Sequence, residues 1–162
     1  MHNCVDKLIA IQNEIQEKSE QLSYTDYKPN IVAISKTFSL NQIMPLINYG
    51  HIHFGENKVQ EALEKWSELK NSTKDIKLHM VGKLQINKVK YVVPLFDFVH
   101  SLDNIKLAEK ISNEQLKKNK KIKIFIQVNI GNESQKSGIS ANEVVTFVKK
   151  CTNDLKLNII GL

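Results

Sequence analysis

A lysine placed straight after a run of apolar residues asks for a chemical reason. In Ile31-Val32-Ala33-Ile34-Ser35-Lys36 the first four residues are apolar and the sixth carries an amine. Burying an ammonium is costly, so such a group neutralises or finds a partner. Side chains alternate along a strand. Val32, Ile34 and Lys36 therefore share one face, and Ile31, Ala33 and Ser35 take the other. If the first set lines the inside of a closed sheet, the amine stands at its mouth. Desolvation there, with Lys83 as a candidate neighbour, favours the uncharged form. An uncharged amine attacks aldehydes and forms a Schiff base. The plainer alternative is a lysine that snorkels from a strand end into water. The pattern alone leaves both open.

The other reactive residue types do not assemble into a familiar constellation. His51 and His53 share a strand face but have no third ligand at a useful spacing, so no metal site is expected. Ser35, the histidines and Asp103 make no ordered triad, and no catalytic residue is assigned. Neither a GxGxxG nor a Walker motif is present. Cys4 and Cys151 lie far apart without a CxxC, as expected of reduced thiols in a cytoplasmic protein.

Composition narrows the partners. The chain has 162 residues, 41% of them hydrophobic and 25% charged, which suits one domain over 1–162. All 23 basic residues are lysine, and the net charge is +6. Nucleic-acid and phosphate sites lean on the planar fork of arginine, which this chain lacks, so no nucleic acid is expected. The run Lys117-Lys118-Asn119-Lys120-Lys121-Ile122-Lys123 reads as a solvated helix end and loop. No apolar run reaches the ~18 residues of a membrane span, and acids and amides interrupt the N-terminal stretch as a signal peptide. No membrane partner is expected.

The elements that must hold these residues alternate. A helical face runs over 3–22. The strand 31–35 precedes a helix over 40–49, with a Ser39/Gln42 capping box, an awkward Pro45 and Gly50 at its end. Strand 51–55 leads to the amphipathic helix 56–70, with Val59, Leu63, Trp66 and Leu69 on one face. Strand 77–82 leads to a helix over 84–93 stopped by Pro94. Strand 96–102 leads to helix 104–118. Strand 121–130 leads to a helix from about 141 capped by Ser140 and Glu143, and a sixth strand covers 157–162.

Apolar strands alternating with helices give a parallel sheet, either doubly wound or a β/α barrel. Every C-terminal strand end is polar: Ser35-Lys36, Glu56-Asn57, Lys83 to Gln85, His100-Ser101 with Asp103, and Gln127 to Asn129. Barrel sites are assembled from many such ends, whereas an open sheet concentrates them at one switch point. The expected fold is α/β, a TIM-type (β/α) barrel truncated after about the sixth strand.

Five segments together resemble one family: AISKT (33–37), FGENKVQE (54–61), HMVGKLQINK (79–88), HSLD (100–103) and VNIGNESQKSG (128–138). They occur in family order across nearly the whole chain. The resemblance is to the pyridoxal phosphate homeostasis proteins, related to the N-terminal barrel of alanine racemase. It implies that Lys36 holds pyridoxal 5′-phosphate as a Schiff base. It implies that Asn57 approaches the cofactor's phenolic oxygen, beside an alternative role for Asn57 as a helix N-cap, with Glu56 and Gln60 at the same helix start. Lys136 matches a family lysine near the site entrance, implying cofactor exchange, with a solvated loop lysine as its alternative. Glu133 is expected to be a loop partner, and His79 a hydrogen-bonded core histidine. Gln85 and Asn87 either tie the third loop or line the mouth.

The resemblance also implies two further strands, carrying the phosphate cup and an arginine facing the pyridine nitrogen. The C-terminal part is therefore expected to be missing, leaving open edges and weak cofactor retention. The implied role is cytoplasmic cofactor homeostasis without substrate turnover, by a protein monomeric when intact that serves apo-enzymes. The alternatives are a racemase-like enzyme, a cofactor-free aldolase and a basic nucleic-acid module.

Overall fold

The computed structural model describes residues 3–24, 26–73, 75–131, 133 and 135–162. Helix α1 (Asn3–Gln21) precedes strand β1 (Ala33–Ile34). Units of strand and helix follow: α2 (Leu40–Asn48), β2 (His53–Glu56), α3 (Val59–Ser72), β3 (Lys77–Met80), α4 (Val89–Leu95), β4 (Phe98–Leu102), α5 (Ile105–Lys118) and β5 (Lys123–Ile126). Two short strands, β6 (Val128–Asn129) and β7 (Ile139–Ser140), then precede α6 (Val144–Lys149) and β8 (Asn158–Gly161).

The main sheet is six-stranded and parallel throughout, in the order β1-β2-β3-β4-β5-β8. Spatial order follows chain order without reversal. Right-handed crossovers then put every connecting helix on the same side, which is the winding of a barrel wall and not of a doubly wound sheet. The burial agrees. Phe54, Leu78, Met80, Val99, Ile124 and Ile126 point to the helices and are at most 1% exposed. They pack in one core with Ile43 of α2, Ala62 and Trp66 of α3, Val89, Val92 and Val93 of α4, and Ile111 of α5. The opposite face carries Ile34, His53, Gly55, His79, Val81, Phe98, His100 and Phe125. Part of it lines a cavity of about 790 Å³.

Helix ends explain much of the local agreement. Gln42 Oε1 accepts from the Ser39 N–H at 2.8 Å, the reciprocal arm of the expected capping box. At the other end of α2, Gly50 takes φ +97°. Its N–H donates to Ile47 O and that of His51 to Leu46 O, both at 2.9 Å, which is a Schellman closure. Asn104 Oδ1 caps α5 by accepting from the Leu107 N–H at 2.9 Å.

Four local expectations need correction. Pro94 does not stop α4 but lies in its last turn, which runs to Leu95. The stretch before it, Ile86–Lys88, is 3₁₀. Ser140 makes no side-chain cap: it ends β7 and leads through a 3₁₀ turn, Ala141–Glu143, into α6. Backbone pairing between β6 and β7 has already taken this segment. Finally, Lys120 is not a free solvated cation. Its Nζ donates to Pro94 O at 2.8 Å and Phe96 O at 3.1 Å, and partial burial holds its pKa below the ordinary lysine value.

Candidate functional site

Strand β1 ends where Lys36 begins. Ile34 pairs with Gly55, and a Cβ placed on Gly55 would meet Ile34 Cδ1 at 2.6 Å, Val32 Cγ1 at 3.3 Å and Val81 Cγ1 at 3.5 Å. The set Val32–Ile34 thus lies on the face away from the helices, as the alternation requires, and Lys36 follows it by two residues. Lys36 itself sits in a turn, with the Phe38 N–H donating to Ser35 O at 3.2 Å. Among the described residues its amine makes no hydrogen bond or ion pair. The expected desolvated amine is not what the structure contains: Lys36 is exposed. Strand β1 is a two-residue edge strand with one paired neighbour among the described residues, and Ile34 is 46% exposed.

The backbone around the amine is tightly held from behind. Thr37 takes φ +68°, costing a β-branched residue about 1–2 kcal/mol. Its N–H donates to Glu61 Oε1 at 2.7 Å. On the other side of Lys36, Ser35 O accepts from Lys65 Nζ at 2.8 Å. Ser35 Oγ donates to Glu56 Oε1 at 2.7 Å, where Lys65 Nζ and Trp66 Nε1 also donate, at 2.9 and 3.0 Å. Glu56 is fully buried. It shares the helix-facing side of β2 with Phe54, and a buried carboxylate needs such partners.

Asn57 follows Glu56; like Lys36, it comes two residues after the last register pair of β1 and β2, Ile34 with Gly55. It is not the N-cap: Lys58 occupies that position, without a side-chain cap, and Glu56 belongs to β2 and not to the helix start. Asn57 Oδ1 is buried and has no hydrogen-bond partner among the described residues. Such an orphan is costly unless a ligand satisfies it. The backbone of Asn57 is pressed against Gly82, where an added Cβ would lie 2.4 Å from Asn57 O. Asn57 also borders a cleft of about 340 Å³ with Lys58, Gln60, Lys83, Gln85 and Lys88.

Lys136 lies at the same end of the sheet, on the loop after β6, and is exposed. Its Nζ donates to Glu133 Oε1 at 2.6 Å. The Asn129 side chain in turn donates to Glu133 O at 2.9 Å and accepts from the Glu133 N–H at 3.2 Å, so Glu133 is a loop partner as expected. The loop carrying Lys136 follows β5, four positions from β1 in the strand order. Asn132 and Ser134 of the same expected motif lie outside the described residues.

Sequence reasoning missed a row of histidines on the sheet face opposite the connecting helices. His53 Nδ1 and His79 Nε2 are 2.9 Å apart, and His79 Nδ1 and His100 Nε2 are 2.8 Å apart. His79 stacks on Phe98, and His100 on Phe125. Burial, reinforced by both neighbouring imidazoles, pushes the His79 pKa down to about 3. Burial also lowers those of His53 and His100. The expectation of a bonded core histidine holds for His79; the signal for the row was histidine at the same phase of three successive strands. No cluster of three or more His, Cys, Asp or Glu able to hold a metal occurs among the described residues. No helix among them is long and apolar enough to cross a membrane.

A singly wound parallel wall with a lysine ending its first strand defines a class, the β/α-barrel domains built like the first domain of alanine racemase. The model of that family, "Alanine racemase, N-terminal domain", matches residues 7–162, and the chain belongs to it. Within it the chain is similar to the pyridoxal phosphate homeostasis protein of Pasteurella multocida (strain Pm70), with 34% identity over 155 residues, 96% of this chain and 66% of the relative. The chain thus spans about two thirds of the length of such relatives. The structure is similar to PipY of Synechococcus elongatus PCC7942. The form solved without PLP has 30% identity and a TM-score of 0.76 over 90% of this chain and 68% of that one. The form with PLP bound has 29% identity and a TM-score of 0.74 over the same shares.

Proposed function

We propose that this chain binds pyridoxal 5′-phosphate covalently through Lys36 and serves cofactor homeostasis, not substrate turnover. The observation that carries the reading is the buried, unpartnered amide oxygen of Asn57, at the end of the strand next to the one that Lys36 follows. The names of the relatives and the PLP-bound form of PipY support it. The residues present fit the group: an exposed amine for the aldehyde, and a buried amide at the end of the neighbouring strand. The bound cofactor supplies an aldehyde carbon, to which the lysine nitrogen bonds with loss of one water.

The chain's own residues do the rest. The turn Ser35–Phe38 presents the amine, and Gly82 leaves room for the backbone of Asn57. Lys136, with Glu133 beside it, stands at the rim as an entrance lysine for exchange. A free aldehyde attacks amines indiscriminately, so a reversible holder protects both the cofactor and the cell. The protein acts as a cytoplasmic monomer that passes the cofactor to apo-enzymes.

The test is borohydride reduction with pyridoxal 5′-phosphate, followed by peptide mapping. Label concentrated on Lys36, and lost in Lys36→Ala, is the expected result. Label spread evenly over the lysines, unchanged by that substitution, would overturn the reading.

A further inference from the structure

The lysine of the proposed site has no side-chain partner, yet the residues before and after it are both gripped by one helix. We infer that Glu61 of α3 is a positioning residue for the Lys36 amine, clamping the strained turn that presents it. This rests on the reading of Lys36 as the aldehyde-binding amine.

In the four-residue turn Ser35–Phe38, Lys36 is second and Thr37 third. The third position of a turn with positive φ favours glycine, and Thr37 holds φ +68° instead. A β-branched residue stays there only where its surroundings over-determine it. The restraint visible is the Glu61 carboxylate, which accepts from the Thr37 N–H at 2.7 Å. This is a charge-assisted bond, stronger than a neutral one.

Glu61 is itself anchored. Its Oε1 lies 3.8 Å from Lys65 Nζ, one helical turn further on. Lys65 in turn donates to Ser35 O and to buried Glu56. The backbone on both sides of Lys36 is therefore fixed to α3, through Lys65 before it and Glu61 after it. The side chain between projects freely from a rigid mount. An exposed amine on an edge strand gains directional reactivity from such a mount, because geometry held in advance need not be found at each encounter.

The experiment follows label on Lys36 after brief exposure to pyridoxal 5′-phosphate and borohydride, with other surface lysines as internal controls. Glu61→Ala should slow Lys36 labelling about tenfold, in the range expected of a misplaced reacting group. The control lysines should be unaffected, and exchange of the Thr37 amide with solvent should quicken. Glu61→Gln retains an acceptor oxygen and should stay near the unaltered chain. Thr37→Gly adopts the same backbone without strain, so in that background Glu61→Ala should lose most of its effect.

Equal Lys36 labelling in Glu61→Ala and the unaltered chain, with Lys36→Ala silent, would overturn the positioning role alone. An undiminished effect in the Thr37→Gly background would also overturn it, by showing that relief of strain at this position does not replace the Glu61 bond. Label that persists in full in Lys36→Ala would instead sink the underlying reading of the site.

Discussion

At the scale of single residues, the site depends on what is absent as much as on what is present. Gly82 has no side chain where a methyl would strike the backbone of Asn57, at 2.4 Å from O and 2.8 Å from Cα. Backbone cannot rotate away as a flexible side chain does. Gly82→Ala is therefore expected to destabilise the fold by about 1–3 kcal/mol and to displace Asn57. Urea unfolding gives the first effect. Cofactor retention compared with Asn57→Ala gives the second, because both substitutions should weaken it in the same direction. Lys36 sits at the other extreme, exposed and without partners among the described residues, so Lys36→Ala should leave the unfolding free energy within about 0.5 kcal/mol of the unaltered chain.

At the scale of elements, β1, β2 and α3 form one unit whose centre is the carboxylate of Glu56. Trp66 fills the core between α3 and the sheet, fully buried, with its ring centroid 5.0 Å from that of Phe54. Its Nε1–H is one of three donors to Glu56 Oε1. Trp66→Phe keeps most of the apolar contact and removes this donor from a buried charge. A loss of about 1.5–3 kcal/mol is expected, well above the cost of the volume change in a site that relaxes. The check is a double-mutant cycle with Glu56→Gln: coupling between the two positions supports the bond as the cause, and simple additivity would assign the loss to packing.

At the scale of the whole molecule, the row His53–His79–His100 ties three neighbouring strands together through neutral rings. The pKa of His79 falls from the ordinary 6.5 to about 3 in the folded chain. Below pH 6.5 the unfolded chain takes up a proton that the folded chain refuses. Stability is thus unaffected by this group above pH 6.5, and falls as pH drops from 6.5 toward 3. The slope for one such proton is about 1.4 kcal/mol per pH unit. His53 and His100, also lowered, act in the same sense. Urea midpoints measured between pH 7.5 and 4 should show the decline, and His79→Gln should flatten it. Midpoints constant over that range would contradict the neutral row.

The sequence by itself determined the alternation of six main strands with helices, the ends of α2 and α5, and the face shared by Val32, Ile34 and Lys36. These are local matters: periodicity, glycine at a left-handed position and side chains that cap their own helix. It also carried the resemblance that singled out Lys36 and Asn57. The tertiary structure decided what distance along the chain conceals. It placed Glu61 on a turn 24 residues earlier and joined three histidines into a row. It also left Lys36 exposed where the apolar run had suggested burial. Burial and hydrogen bonding belong to the neighbours that sheet register brings together. An edge strand with one neighbour and a central strand with two can read alike in sequence.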